Sequence, residues 1–161
     1  MSKKLIAYFS AGGVTRKVAN TLAEILDADT YEIKPMTPYT GKDLNWNNAQ
    51  SRSSVEMADI TSRPSLADTD AKISDYDTIF LGFPIWWYVA PHIINSFLES
   101  YDFAGKTIVI FATSGGSGFG ETLAQLKPSC ADSTLWIQGK VFRGRVDKNT
   151  LSDWVKRLPI A

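Results

Sequence analysis

The chain has 161 residues, of which 44% are hydrophobic and 21% are charged. This length fits one domain, and a folded chain of this size buries about 68–70% of its unfolded surface, so its core needs neither disulfides nor metals. The 17 basic and 17 acidic residues cancel. That balance argues against nucleic acid as the main partner, because nucleic-acid binding needs a net basic face. No stretch approaches the ~20 apolar residues of a membrane span.

The lone cysteine, Cys130, excludes an intrachain disulfide, which suits a reducing compartment. The first apolar run, residues 5–9, is too short for the core of a signal peptide. No group of histidine, cysteine, aspartate or glutamate residues has metal-ligand spacing. We therefore expect a cytoplasmic protein with one domain over residues 1–161, no bound metal and no contact with a membrane.

Short apolar runs alternate with helical patterns along the chain. The predicted strands cover residues 5–9, 30–33, 77–83, 107–113 and 134–137. Predicted helices cover residues 15–27, a segment that begins at Pro91, residues 121–127 and residues 150–158. A polar stretch at residues 36–71 separates the second and third strands. Strands that are apolar on both faces predict an α/β parallel sheet covered by helices, with ligands at the carboxyl ends of its strands.

The loop after the first strand contains Ser10, Ala11, Gly12, Gly13, Val14 and Thr15. Its glycines let backbone N–H groups approach a ligand, and the N-terminus of the following helix favours an anion. With a hydroxyl at each end, the loop can surround a phosphate without a lysine. It lacks the Gly-Lys-Ser/Thr of a Walker A motif. The structural alternative is a simple strand-to-helix turn in which Thr15 caps the helix.

An aromatic loop follows the third strand and contains Pro84, Ile85, Trp86, Trp87 and Tyr88. Three consecutive aromatic side chains between two prolines are costly to expose. Flat side chains at a sheet edge suit stacking on a flat ligand. The alternatives are that these rings pack in the core, form a lid or make a dimer contact.

A glycine-rich loop follows the fourth strand and contains Thr113, Ser114, Gly115, Gly116, Ser117 and Gly118. Its backbone can lie flat against a ligand because glycine has no side chain. The alternative is a flexible surface turn. Together, the three loops offer a phosphate site, an aromatic surface and a thin polar wall. This combination fits a mononucleotide that carries a flat heterocycle.

At these loops the sequence resembles the flavodoxin family. Residues 6–15, with Ala19 and Leu22 behind them, look like the flavodoxin signature, although Ala7 stands where a larger apolar residue is usual. The motifs at residues 84–87 and 114–118 are similar to those of a bacterial flavodoxin-like subgroup. That subgroup also carries a segment like residues 43–57. The resemblance covers nearly the whole chain.

This resemblance implies a flavodoxin-like three-layer α/β/α sandwich with a five-stranded parallel sheet of order 2-1-3-4-5. It implies one FMN, with the phosphate held by the loop at residues 10–15. The isoalloxazine ring would lie between residues 84–88 on one side and residues 114–118 on the other. The polar stretch would be an insertion of the subgroup, with Trp46 and Arg52 covering the flavin. The inserted loop of long-chain flavodoxins is expected to be absent.

The predicted function is electron transfer through non-covalent FMN, to a redox partner protein or to a small-molecule acceptor. The alternative is an NAD(P)H-dependent FMN reductase of quinones or other small acceptors. Two departures from the family keep this alternative open. Many flavodoxins are strongly acidic, which guides them to basic partners, whereas this chain is neutral. The glycine-rich loop also lacks the aromatic residue that usually stacks on the flavin. A monomer and a dimer are both compatible with the sequence.

Further residues carry separate expectations. The only histidine, His92, follows Pro91 in the first turn of a helix and is expected at the surface or as a cap. Arg16 and Lys17 either add positive potential at the phosphate or stay solvated. The segment 86–88 has no glycine, so a positive φ there would be strained. By the family resemblance, this predicts weaker stabilisation of the one-electron-reduced flavin than in relatives with a glycine there.

Overall fold

Five parallel strands form a central sheet in the computed structural model, which describes residues 3–160. The strands are β1 (Lys4–Tyr8), β2 (Asp29–Glu32), β3 (Thr78–Pro84), β4 (Thr107–Ser114) and β5 (Leu135–Arg143). Their order across the sheet is β2-β1-β3-β4-β5, as predicted. The middle strands β1, β3 and β4 are almost wholly buried, because helices cover both faces of the sheet.

Within the same residues there are five α-helices: α1 (Val14–Leu26), α2 (Arg52–Ala58), α3 (His92–Glu99), α4 (Thr122–Leu126) and α5 (Lys148–Lys156). Helices α1 and α5 pack on one face of the sheet through Leu22 and Trp154. Helix α3 packs on the other face through Ile93 and Phe97. The two faces carry separate hydrophobic clusters, so the predicted three-layer sandwich is confirmed. None of these helices combines the length and hydropathy that a membrane crossing requires.

Strand β5 is longer than the predicted strand at residues 134–137. Its pairing with β4 shifts between Ile110 and Ala112 and then continues until Arg143 pairs with Ser114. As an edge strand, β5 is mostly exposed or half-buried, and Phe142 is its one buried residue. Its polar exposed side chains interrupt the apolar run on which the shorter prediction rested.

The polar stretch at residues 36–71 contains α2, a helix that the hydrophobic pattern does not reveal. Ser51 caps this helix, because its Oγ accepts the N–H of Ser54 at 3.3 Å. The stretch also makes a backbone bridge between Pro35 and Leu66. The insertion therefore contains one short helix and is tied to the chain before it, although most of it is irregular.

The carboxyl ends of β1, β3 and β4 lie side by side at one edge of the sheet. The strand order reverses between β1 and β3, and open α/β sheets bind ligands at such a reversal. The three loops singled out in the sequence leave the sheet at this edge.

Candidate cofactor site

A cavity of about 820 Å³ opens where the three loops meet, and its size suits a small-molecule or cofactor site. The predicted residues in its wall are Ser10, Ala11, Gly12, Val14, Thr15, Pro84, Ile85, Trp86, Trp87, Tyr88, Thr113, Ser114, Gly115 and Ser117. Gly13, Gly116 and Gly118 belong to the same loops but lie outside the wall.

The loop between β1 and α1 presents hydrogen-bond donors that have no protein acceptor. Ser10 Oγ accepts the N–H of Gly13 at 3.0 Å and that of Arg16 at 3.2 Å. Within residues 3–160, no group accepts the remaining N–H groups of this loop, which are those of Ser10, Ala11, Gly12, Val14 and Thr15. Free donors at the N-terminus of a long helix suit a phosphate, which supplies negative charge and several acceptor oxygens.

Thr15 does not cap α1, in contrast to the structural alternative for this loop. Gly13 occupies the cap position with a φ of 93°, and Thr15 is the second residue of the helix. Its Oγ1 lies 2.8 Å from Oγ1 of Thr113, and both residues are buried. This bond links the predicted phosphate loop, residues 10–15, directly to the glycine-rich loop.

The aromatic loop forms a tight two-residue turn. The N–H of Trp86 donates to the carbonyl of Val89 at 2.9 Å, and the N–H of Val89 donates back at 3.2 Å. The two central residues, Trp87 and Tyr88, have φ angles of 50° and 65°. These signs are those of a type I′ turn, which favours asparagine and glycine. The positive φ that the residue types disfavour is therefore adopted at two consecutive aromatic residues.

Gly120 and Glu121 contact this turn at Tyr88. The N–H of Glu121 donates to the carbonyl of Tyr88 at 3.2 Å. Gly120 has a φ of 53°, and a Cβ at that position would lie 2.3 Å from the Tyr88 carbonyl oxygen. A glycine is needed there because the backbone of the turn passes so close.

The three aromatic rings of this loop have different surroundings. Trp86 is half-buried and packs edge-on against Phe9 at 5.7 Å and Tyr39 at 5.5 Å, measured between ring centroids. Trp87 is 45% exposed and Tyr88 is 65% exposed, although both line the cavity. The core-packing alternative thus holds in part for Trp86, while the other two rings stand at the mouth.

The glycine-rich loop folds back on the side chain of Ser114. Its Oγ accepts the N–H groups of Gly116 at 3.1 Å and Ser117 at 2.8 Å. Phe119, the aromatic residue that follows this loop in the sequence, is buried in the core. The wall that this loop contributes therefore contains no aromatic side chain, as its sequence indicated.

Part of the cavity wall comes from residues outside the three loops, which are Leu44, Trp46, Ser53 and Gly144. Trp46 lies in the wall, as the family resemblance implied. No local motif marks Leu44 or Ser53, and the family-like segment at residues 43–57 was the signal that could have found them. Gly144 follows β5, whose predicted end was too early to bring it to the site.

Arg52, which the family resemblance placed over the flavin, is not part of the cavity wall. Its Nε donates to Glu56 at 2.9 Å, and its guanidinium lies 3.8 Å from the ring centroid of Tyr39. The Tyr39 hydroxyl donates to the same carboxylate at 2.5 Å. Burial and this carboxylate raise the pKa of Tyr39. The three side chains brace the insertion against Trp86.

The charged residues near the site are few. Arg16 forms an ion pair with Glu32 at 2.8 Å, while Lys17 is exposed on α1. Arg143 and Arg145 flank the wall residue Gly144 and are exposed. Neither of these two arginines forms an ion pair or a side-chain hydrogen bond within residues 3–160.

His92 is buried, which contradicts the expected surface or capping role. It is 3% exposed, and its Nδ1 lies 2.6 Å from the Oγ of Ser62, which also donates to the Glu56 carbonyl at 2.6 Å. Burial lowers the pKa of His92. Burial also raises the pKa of the Cys130 thiol to about 12, so this cysteine stays protonated.

Two solved structures are similar to this chain over almost its full length. A protein from Bacteroides uniformis ATCC 8492, described as a flavoprotein, shares 46% identity with a TM-score of 0.91, covering 97% of this chain and 99% of that one. A protein from Bacteroides eggerthii DSM 20697, also described as a flavoprotein, shares 42% identity with a TM-score of 0.89, and the match covers 100% of both chains. Among curated proteins, none matches the chain.

A more distant structure, a flavoprotein in complex with FMN from Lactobacillus acidophilus NCFM, shares the fold at 23% identity. Its TM-score is 0.67, and the match covers 96% of this chain and 99% of that one. The family model described as Flavodoxin matches residues 3–158. This family match supports the FMN cofactor expected from the three loops. The chain belongs to the flavodoxin family.

Proposed function

We propose that this chain carries electrons with one non-covalently bound FMN in the cavity at the carboxyl edge of its sheet. One observation carries the proposal: a loop of unsatisfied N–H donors, an aromatic turn and a glycine-rich wall line the same cavity. Each part suits a different part of FMN, namely the phosphate, the flat ring and its polar edge. Bound FMN would supply the redox chemistry, so no protein side chain would need to accept electrons.

The residues of the chain would then bind and orient the cofactor. The free N–H groups of the loop at residues 10–15, which exclude that of Gly13, would hold the phosphate. Trp86, anchored on Phe9 and Tyr39, would fix one wall of the ring site. The exposed rings of Trp87 and Tyr88 would limit the access of water to the flavin, while electron donors and acceptors could still approach it.

Titration of the purified apoprotein with flavins tests this proposal. FMN should bind with quenching of flavin fluorescence, and it should bind more tightly than riboflavin because riboflavin lacks the phosphate. Binding of neither flavin would contradict the proposal. Equal affinity for both flavins would contradict the assignment of residues 10–15 as the phosphate site.

A second candidate function, reduction of small acceptors with NAD(P)H, is favoured by the cavity mouth. The unpaired charges of Arg143 and Arg145 stand beside it, and Trp46 and Trp87 are 70% and 45% exposed there. An anionic dinucleotide would meet positive charge and flat rings at this place. Steady oxidation of NADPH in the presence of a quinone would support this function. Rapid electron exchange with a protein acceptor, without NADPH turnover, would support the carrier.

A further inference from the structure

Ser53 has a buried hydroxyl with no hydrogen-bond partner. The residue is 2% exposed and lies in the cavity wall beside Leu44 and Trp46. Within residues 3–160, its Oγ is the one buried side-chain nitrogen or oxygen that lacks a partner. Buried polar groups are nearly always paired, because an unpaired one loses its hydration without compensation. An unpaired hydroxyl at a cavity wall needs a partner from outside the chain, either a ligand atom or a water molecule.

The local structure explains why the protein itself leaves this hydroxyl unpaired. A hydroxyl in the middle of a helix can donate to the carbonyl four residues earlier, as Thr21 of α1 does to Lys17 at 3.0 Å. Ser53 is the second residue of α2, so no helical carbonyl precedes it at that spacing. Its neighbours Ser51 and Ser54 pair with each other at 2.9 Å.

The backbone of Ser53 is nevertheless fixed in place. Its N–H donates to the carbonyl of Asp43 at 2.9 Å. The adjacent Arg52 is held by Glu56 and Tyr39. Ser53 is therefore held in the cavity wall by a braced segment.

We propose that Ser53 Oγ forms a hydrogen bond with the polar edge of the FMN ring and so joins the insertion at residues 36–71 to the cofactor. This inference rests on the proposed function. A hydroxyl can donate to a ring nitrogen or carbonyl oxygen, or accept from a ring N–H. It makes Ser53 a flavin-binding residue that lies outside the three strand-end loops.

Three features favour the ring over the phosphate. The loop at residues 10–15 already supplies free N–H donors for the phosphate. Ser53 instead shares its wall with Leu44 and Trp46, whose apolar side chains suit a flat heterocycle. The insertion also packs on the aromatic turn, through the contact of Tyr39 with Trp86.

The variant Ser53→Ala separates a ligand contact from a structural role, because the two predict opposite results. The apoprotein should be as stable as wild type or more stable, since the substitution removes an unpaired polar group and breaks no bond. FMN binding should weaken about twofold to tenfold, the loss expected for one hydrogen bond. Riboflavin binding should weaken by the same factor, because riboflavin keeps the ring. The absorption band of the bound flavin should also shift.

The neighbouring variant Ser54→Ala is the matched control. It removes the bond between the Ser51 and Ser54 hydroxyls but keeps the helix cap, which uses the backbone N–H of residue 54. It should lower the stability of the apoprotein and leave the FMN dissociation constant unchanged. If Ser53→Ala fails to fold, Ser53→Cys preserves the size of the side chain with a weaker donor and should weaken both flavins in the same way.

Three outcomes would overturn the inference. Equal FMN affinity and identical flavin spectra for Ser53→Ala and wild type would show that water pairs with the hydroxyl. Weaker FMN binding with unchanged riboflavin binding would place the contact at the phosphate. A less stable Ser53→Ala apoprotein with normal flavin affinity would show a structural role. If wild type itself binds no flavin, the proposed function fails first, so the two failures are distinguishable.

Discussion

The Oγ1 atoms of Thr15 and Thr113 lie 2.8 Å apart, although the two residues are separated by 98 positions in the sequence. Both side chains are buried, and both line the cavity. The bond ties the first turn of α1 to the carboxyl end of β4. Before any ligand binds, the bond fixes the distance between the two sides of the cavity, which are the predicted phosphate loop at residues 10–15 and the glycine-rich loop. Such preorganisation lowers the cost of binding, because fewer groups need to be ordered.

Replacing Thr113 with valine should destabilise the apoprotein. Valine has nearly the same shape as threonine but leaves the buried hydroxyl of Thr15 without a partner, which costs about 1–3 kcal/mol. The free energy of unfolding in urea measures this loss. The double variant Thr15→Val with Thr113→Val should lose less than the sum of the single losses, since both partners are then apolar. Additive losses would show that the hydroxyls do not interact.

Gly120→Ala should weaken the support of the aromatic turn. The φ of 53° alone costs an alanine about 1–2 kcal/mol. The added Cβ would also meet the Tyr88 carbonyl at 2.3 Å and push the turn away from α4. Thermal unfolding of the apoprotein and titration with FMN should both show a loss.

Gly118→Ala is the control for that experiment, because a Cβ at residue 118 meets nothing within 4 Å and its φ is not positive. It should change stability by less than about 0.5 kcal/mol. If the alanines at positions 118 and 120 were equally tolerated, the close approach of the Tyr88 carbonyl would not matter for the turn.

The sheet and the main cavity loops are predictable from the sequence because both depend on short-range patterns. Continuous apolar runs mark buried parallel strands such as β4, and glycines after such strands mark loops that can approach a ligand. The strand order follows from the family resemblance of residues 6–15. For these features, the local signal and the tertiary structure agree.

The remaining features depend on contacts between distant segments. Buried His92 pairs with Ser62, which lies in the insertion 30 positions earlier. In the sequence Arg52 resembles a ligand-binding residue, but in the structure its guanidinium contacts Glu56 and Tyr39. The orphaned hydroxyl of Ser53 is visible only once its lack of a partner can be established. None of these relations has a periodicity or a spacing in the sequence.

Arg52→Lys should loosen the insertion although it conserves the charge. Lysine cannot stack a planar guanidinium on Tyr39 while it donates to Glu56, so the substitution loses a cation–π contact and a directed ion pair. We expect a loss of about 1 kcal/mol in the free energy of unfolding. Proteolysis should also cleave residues 36–71 faster than in wild type. Unchanged proteolysis would show that other contacts hold the insertion.

The stability of the fold should decrease as the pH falls below neutrality because of His92. Burial, with Arg63 nearby, lowers its pKa below the ordinary 6.5, and this outweighs the opposite effect of Glu56 and Asp59. As the pH falls through 6.5, the unfolded chain takes up this proton before the folded chain does. The stabilisation is therefore complete above pH 6.5 and is lost progressively below it.

Urea unfolding at pH 7.5 and at pH 5.5 measures this change for wild type. His92→Gln should not show it, because His92 is the only histidine in the chain. The carboxylates of Asp59 and Glu99, whose pKa values are lowered, remain ionised throughout this range. A wild-type stability that does not change between the two pH values would mean that the folded protein accepts the proton on His92 without cost.

The unpaired charges of Arg143 and Arg145 should accelerate electron transfer to anions. They flank Gly144 at the cavity mouth and are exposed, so they attract a negatively charged reactant toward the site. In stopped-flow measurements on the reduced, FMN-loaded protein, Arg143→Gln with Arg145→Gln should slow reoxidation by ferricyanide about threefold to tenfold at low ionic strength. Reoxidation by an uncharged quinone should be unaffected, and the difference should shrink as salt screens the charges. The control pair is Lys156→Gln with Arg157→Gln, which removes the same charge at the far end of α5, where the helix has run back from the carboxyl edge of the sheet. Equal slowing by both pairs would mean that net charge, rather than the position of these two arginines, directs anions to the flavin.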